Sequence, residues 1–267
     1  MKTKLLNIDA NAKTIKGQKQ GYMTGVLYLA PSNSSGTELC GMAELADCRA
    51  DCLNTAGRGG MSPGSVQFTA PNGESLPDNA IQRARLTRTF FFLRDRDGFM
   101  AQLVREIESA KKKARRMRKK LVVRLNGTSD IRFENIPAER AGKVYPNIFA
   151  AFRELQFYDY TKLPNRRVAG IPNYHLTFSY SHAPAFAPIV ARAVSFYGQS
   201  VSFAAVFKGQ LPAHFLGRSV INGDESDLRF LDAPGVVVGL KAKGRARKSA
   251  SLFAVPASLP KLEALAA

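Results

Sequence analysis

All three cysteines of this 267-residue chain lie in one stretch, from Cys40 through Cys48 to Cys52, with the turn Gly57-Arg-Gly-Gly60 just behind. A structural disulfide framework takes an even number of cysteines in a small secreted scaffold, and neither condition holds. The spacing, Cys-x7-Cys-x3-Cys, suits a metal instead. Cys48 and Cys52 stand at i and i+4, so one helical turn or a tight loop puts both sulfurs on one face. Cys40 then folds back from the preceding loop. Three readings are open at this point. An iron–sulfur cluster held by three thiolates, a 4Fe-4S cluster above all, leaves one iron free for a small ligand. A zinc ion requires a fourth ligand; the nitrogen donors available are His175, His182 and His214, and the paired Cys-x2-Cys of zinc ribbons is absent. In the third reading the thiols are reduced and buried as small hydrophobes.

Charge is the second source of chemistry. The chain carries 39 Lys and Arg against 21 Asp and Glu, a net charge of +18. Such a surplus attracts polyanions, and nucleic acid, DNA or RNA, is the partner it predicts. The densest run is Lys111, Lys112, Lys113, Arg115, Arg116, Arg118, Lys119 and Lys120, eight cations in ten positions. Cations suit the last turns of a helix, where they face the negative end of its dipole. Eight like charges also repel one another, which invites an anionic partner through phosphate contacts that are salt-sensitive and blind to sequence.

These groups need elements to position them. Gly21 to Pro31 reads as a first strand, with Val26, Leu27 and Leu29 buried, and it leads straight into the cysteine loop. Residues 57–77, rich in Gly, Pro and Ser, read as an extended loop. Asp78 or Asn79 caps a helix carrying Ile81, Arg85, Arg88 and Phe90-Phe91-Phe92. After Asp95-Arg-Asp-Gly98 comes the clearest helix, on which Phe99, Leu103, Ile107, Ala110, Ala114 and Met117 form one apolar stripe.

From residue 121 short apolar runs recur: Leu121 to Leu125, Leu155 to Tyr158, Tyr174 to Phe178, Val201 to Phe207 and Val236 to Leu240. Helices fall between them at Ile148 to Phe152 and Ala187 to Tyr197. Buried strands alternating with crossovers predict an α/β fold with a mostly parallel sheet covered on both faces. Sheets of this kind collect reactive groups at the carboxyl ends of their strands. The polar residues there are Asn126, Ser129, Asp130, Asp159, Lys162, Ser179 and Ser181. The cysteine loop, following the first strand, shares that rim. Asp130, Asp159 and Lys162 are the candidate catalytic groups; Asn126, Ser129 and Ser179 are candidates for holding a cofactor. The loop Ile221 to Arg229 adds Asp224 and Asp227 to the rim or caps a turn.

The chain divides into a loosely ordered basic arm (1–20), one α/β domain (21–250) and an irregular tail (251–267). No apolar run is long enough to span a bilayer, and Met1 to Gln20 is too polar for a signal-peptide core. A reducing cytoplasm is the compartment expected, leaving thiols free for metal.

The run Gly21-Tyr-Met-Thr-Gly-Val-Leu-Tyr-Leu-Ala-Pro31, the three cysteines, and the blocks Leu125 to Ile131, Phe157 to Lys162 and Asp224 to Asp232 resemble an uncharacterised family of bacteriophage proteins with a three-cysteine loop. Where that family has Cys-Pro at the first thiol, this chain has Cys40-Gly41. At a greater distance the layout is similar to the radical S-adenosylmethionine enzymes, in which three cysteines after the first strand of an incomplete (β/α) barrel hold a four-iron cluster whose open iron binds the methionyl group. That likeness implies an incomplete barrel here, with S-adenosylmethionine beside the cluster. The departures are the spacing, normally Cys-x3-Cys-x2-Cys, and Ala50 and Asp51 where an aromatic precedes the last cysteine. The function expected is a phage iron–sulfur enzyme, radical-SAM-like or redox, acting on or near nucleic acid; the alternative is a basic nucleic-acid-binding accessory protein with a structural metal site.

Overall fold

The computed structural model describes residues 3–9 and 11–257. Along the chain the strands are β1 (Leu6–Ile8), β2 (Tyr22–Leu27), β3 (Gln67–Thr69), β4 (Ser75–Pro77), β5 (Lys120–Arg124), β6 (Ala138–Arg140), β7 (Lys143–Tyr145), β8 (Gln156–Thr161), β9 (Tyr174–Ser179), β10 (Phe203–Phe207), β11 (His214–Phe215), β12 (Arg218–Asn222) and β13 (Val237–Lys241). The helices are α1 (Ala12–Gly17), α2 (Ala80–Arg94), α3 (Arg96–Arg116), α4 (Ile148–Ala151) and α5 (Ala187–Tyr197).

Nine strands form one sheet in the order β1-β2-β5-β8-β9-β10-β13-β12-β11, with β3-β4 and β6-β7 as separate hairpins. Only the edge strands β1 and β11 pair antiparallel; every pairing between β2 and β12 is parallel. The α/β, mostly parallel sheet expected from the sequence is therefore present. It is open: β1 and β11 are its edges, and no closed barrel forms.

The strands are buried because both faces are covered, as parallel sheets require. On one face α2, α3 and α4 pack over β2, β5 and β8, with Leu103 and Ile107 of α3 meeting Met23, Leu121, Val123 and Phe157 in one core. Further along the same sheet α5 packs Ile189 and Ala193 against Phe178, Phe203 and Val237. Across the other face Val122 and Tyr158 lie under Leu228 and Phe230. Asn79 and Asp95 cap α2 and α3 through side-chain bonds to backbone N–H groups of their first turns. The stripe on α3 is buried from Phe99 to Ala114, but Met117, expected to continue it, lies beyond the helix and is 41% exposed.

Three expectations are corrected. Described residues of the basic arm carry β1 and α1: Leu5 and Leu6 are buried, their N–H groups donate to the Glu106 carboxylate at 2.8–3.0 Å, and Asn11 closes a capping box with Thr14. The loop over 57–77 contains short 3-10 turns and the β3-β4 hairpin. The polar loop read from Ile221 starts inside β12, which pairs with β13. In the tail, Val255 is buried and bridges Phe207; residues 258–267 lie outside the described residues.

Candidate functional site

The loops that follow β2 and β5 are bonded to each other at the carboxyl end of the sheet. Gly127 N donates to Leu27 O at 2.9 Å, Thr128 Oγ1 to Leu29 O at 2.5 Å, and Asp130 N to Leu39 O at 2.8 Å. Gly127 is required there, because a Cβ would stand 2.7 Å from Leu27 O and against the Tyr28 ring. Cys40 Sγ reaches the Thr128 carbonyl oxygen at 3.6 Å. Beyond Cys52 the chain is gripped from α2: Gln82 Nε2 donates to Asn54 O and Gly59 O (2.8 and 2.7 Å), and Arg85 Nη1 donates to Asn54 O (2.7 Å) and Asn54 Oδ1 (2.5 Å). Ser181 Oγ, after β9, donates to Ala46 O at 2.7 Å. The cysteine loop, irregular rather than helical between Cys40 and Cys52, is thus moored to the loops after β5 and β9 and to one helix face.

All three thiols are free, and each lies within electrostatic reach of another. Burial pushes them all upward, Cys52 to about 11, so each favours the neutral thiol when no metal is bound. Donors oppose that shift: the N–H groups of Ser32 and Asn54 point at Cys40 and Cys52, the Lys162 ammonium bears on Cys48 and Cys52, and Arg85 bears on Cys52. Among the described residues no three or more His, Cys, Asp or Glu side chains are gathered round one point as a single-ion cage requires. Binding one metal centre therefore requires the thiols to be drawn together or bridged by a larger body.

Asp130 lies beside Cys40. Its carboxylate accepts from Thr161 Oγ1 (2.9 and 3.1 Å), Lys162 N (2.8 Å) and Arg166 Nη1 (3.3 Å). Burial raises its pKa against the pull of Arg166. Arg166, wholly buried, also donates to Glu134 through Nε (2.9 Å) and Nη2 (2.5 Å) and to the Tyr174 hydroxyl (2.9 Å). Lys162 Nζ bonds Ser179 Oγ at 2.7 Å and sits 4.9 Å from the centre of the Phe253 ring.

Asp159 does not end a strand as the sequence suggested. It lies inside β8 and is 0% exposed, because its carboxylate is satisfied within the sheet by Asn126 N (2.8 Å), Asn126 Nδ2 (3.2 Å) and the Tyr174 hydroxyl (3.1 Å). Burial lifts its pKa to about 6, against Arg124 and Arg166. Asn126 in turn accepts from Ser129 Oγ and Ile131 N at Oδ1, fixing the turn after β5. Asn126, Ser129 and Asp159 thus buttress the rim from below.

The structure brings Cys40, Cys48, Cys52, Asp130, Lys162 and Ser179 to one rim. It sets two other groups apart. Asp227 faces the opposite side of the sheet, accepting from the Tyr158 and Tyr160 hydroxyls and pairing with Arg124 at 3.4 Å, while Asp224 pairs with Lys13 and Lys243. The run from Lys111 to Lys120 lies where α3 hands over to β5, at the amino end of the strands. The length of β5, roughly 16 Å at ~3.3 Å per residue, separates it from the thiol rim. Lys111 is partly consumed by Glu108 and Glu154, and Lys119 Nζ donates to Gln18 O; Lys112, Lys113, Arg115, Arg116, Arg118 and Lys120 are exposed.

Sequence reasoning missed Glu134, Arg166 and Tyr174, whose partners are far away along the chain. It also missed the mooring role of Gln82 and Arg85. The signal for the latter was present: Gln82, Arg85 and Thr89 fall on one face of the helix, and all three are buried.

Fold and site together define an α/β protein with an open, mostly parallel sheet and a rim of three thiols at its carboxyl end. Residues 4–255 match the bacteriophage family described as "Gene product 88", and the chain belongs to that family. No curated protein and no solved structure gives a significant match. Among the described residues no helix is long and apolar enough to cross a membrane.

Proposed function

We propose that this chain is an iron–sulfur enzyme, radical-SAM-like in layout, that acts on or near nucleic acid. One observation carries the reading: three thiols stand with Lys162 and Asp130 at the carboxyl end of parallel strands that follow one another in chain order from β2 to β10. Consecutive parallel strands are also the order of an incomplete (β/α) barrel, which supports the likeness, and reactive groups collect at this end of such sheets.

The donor set fits a cluster. Thiolate ligands with N–H groups and cations directed at the sulfurs are the environment that tunes iron–sulfur centres, and Ser32 N, Asn54 N, Lys162 and Arg85 supply it. A multi-iron cluster takes each thiolate on a separate iron, so it asks less of the spacing between the three sulfurs than a single ion does. Cys40, Cys48 and Cys52 would hold it. When bound, such a cluster supplies an open iron as a Lewis acid or an electron donor. Lys162, tethered to Ser179, holds positive charge beside the thiols, where it suits an anionic group such as the carboxylate of S-adenosylmethionine. Asp130, fixed by Thr161 and Arg166, offers a carboxylate to a cofactor or substrate donor.

The test is anaerobic purification followed by iron and sulfide analysis. A brown protein with several irons and matching sulfide supports the reading; stoichiometric zinc, or no metal after reconstitution, sinks it. A second reading, a basic nucleic-acid-binding accessory protein whose metal only staples the loop, is favoured by the position of the α3 cations at the end of the sheet away from the thiols. Zinc without turnover is its signature.

A further inference from the structure

A second basic surface lies on the thiol rim itself. Beyond β13 the chain runs Ala-Lys-Gly-Arg-Ala-Arg-Lys248, with a 3-10 turn over Gly244–Arg247. Lys241, Arg245, Arg247 and Lys248 are exposed, and none forms an ion pair among the described residues, whereas Lys243 is paired with Asp224 at 2.6 Å. Arg58 is exposed on the glycine turn behind Cys52.

This turn is fixed against the thiol loop. Ala246 is buried, and a Cβ on Gly244 would stand 3.4 Å from the Cα of Ala56, four residues after Cys52. Lys208 Nζ donates to Ser249 O (2.8 Å) and Ser251 O (3.2 Å), and Ser251 Oγ donates to Asp51 Oδ2 (2.5 Å). Of the nearby carboxylates, Asp51 is buried and accepts from Ser251, exposed Asp47 accepts from the N–H of Leu252 at 2.7 Å, and Asp224 pairs with Lys243 and accepts from Lys241 N at 3.0 Å. Arg245, Arg247 and Lys248 thus face outward from a fixed turn, none of them ion-paired among the described residues. Like charges held together in this way repel unless a polyanion neutralises them.

We propose that Arg58, Lys241, Arg245, Arg247 and Lys248 grip the phosphate backbone of a nucleic-acid strand and lay it across the thiol rim. This deepens the reading above in its substrate class alone and does not depend on whether the thiols hold iron. The α3 cations lie at the other end of the strands and do not border Cys40, Cys48 and Cys52.

The experiment measures binding of the full chain to a fluorescent mixed-sequence oligonucleotide over a range of salt, and maps 4-thiouridine photo-cross-links by mass spectrometry. Replacing three phosphate-contacting cations in R245Q/R247Q/K248Q lowers the salt slope by roughly 2, at about 0.7 per contact on a single strand. Wild-type cross-links map to residues 53–60 and 241–252, and K112Q/R115Q/R116Q retains them. Circular dichroism of both variants matches wild type, since the replaced residues are exposed. If the protein binds no oligonucleotide at low salt, the nucleic-acid part of the proposed function falls together with this inference. If it binds, but slope and cross-links follow Lys111 to Lys120, the rim assignment alone is overturned.

Discussion

Cys40 Sγ lies 3.6 Å from the carbonyl oxygen of Thr128, so the first thiol is held by the loop that follows β5 rather than by its own loop alone. The two loops are tied together because Gly127, Thr128 and Asp130 each bond back to the chain between Leu27 and Leu39. Whatever the thiols bind is therefore positioned from the turn beginning at Asn126.

Gly127→Ala tests that coupling. Its Cβ would meet Leu27 O at 2.7 Å and the Tyr28 ring, so the loop must shift. A loss of about 1–3 kcal/mol of stability is expected from such overpacking, with reduced metal retention at residues far away along the chain. Gly41→Ala, where nothing stands within 4 Å of the new Cβ, should fall within about 0.5 kcal/mol of wild type. Denaturant melts and metal analysis of both variants check it. Equal behaviour of the two would mean the loops are independent.

Arg166→Gln should cost on the order of 3–5 kcal/mol, because removing one side of a buried ion pair strands the other. Here two carboxylates, Glu134 and Asp130, lose their partner at once. Replacing Glu134 and Arg166 together by Gln and Met should recover part of the loss. Urea unfolding of the single and double variants decides between this and a dispensable pair.

What the sequence disclosed follows the range of the interactions involved. Periodicity along α3 and the cap Asn79 are local, and they were legible, although α3 begins at Arg96, capped by Asp95, rather than after Gly98. The parallel order followed from apolar runs too short and too uniform for anything but buried strands. Leu5 and Leu6 were hidden because a three-residue strand among lysines carries no period; its place is set by antiparallel pairing with β2. Asp159 was misplaced because a carboxylate normally ends an apolar run, and only Asn126 and Tyr174, brought from other elements, let β8 continue through it. Arg166 was invisible for the same reason, since its carboxylate partners lie 32 and 36 positions away.

Asp159 also sets a pH dependence. Its folded pKa, about 6, is raised above the ordinary carboxylate value, so between roughly pH 4 and 6 the folded state binds more protons than the unfolded one. Stability from this group is thus fully present at the acid end of that window and is lost as pH rises to 6. The amplitude is about 3 kcal/mol for a shift of this size. Asp159→Asn should flatten that decline. Unfolding midpoints between pH 4 and 7 measure it, and an unchanged profile in the variant would assign the slope to other groups.

Lys162 offers the sharpest test of the electrostatic link between the thiols and the strand ends. Its ammonium lowers the pKa of Cys48 and contributes to lowering that of Cys52, whereas the largest influences on Cys40 are burial, the Ser32 N–H, Asp130 and the other two cysteines. The thiolate is the reactive form, and at neutral pH burial leaves little of it. Lys162→Gln should therefore slow iodoacetamide alkylation of Cys48 and Cys52 in the metal-free protein and move their pH–rate profiles upward. Cys40 should change least, an internal control in the same digest. Lys162→Arg, which keeps the charge, should restore most of the rate. Equal slowing at all three thiols would point to a structural role for Lys162, and no change at Cys48 would remove it from the site.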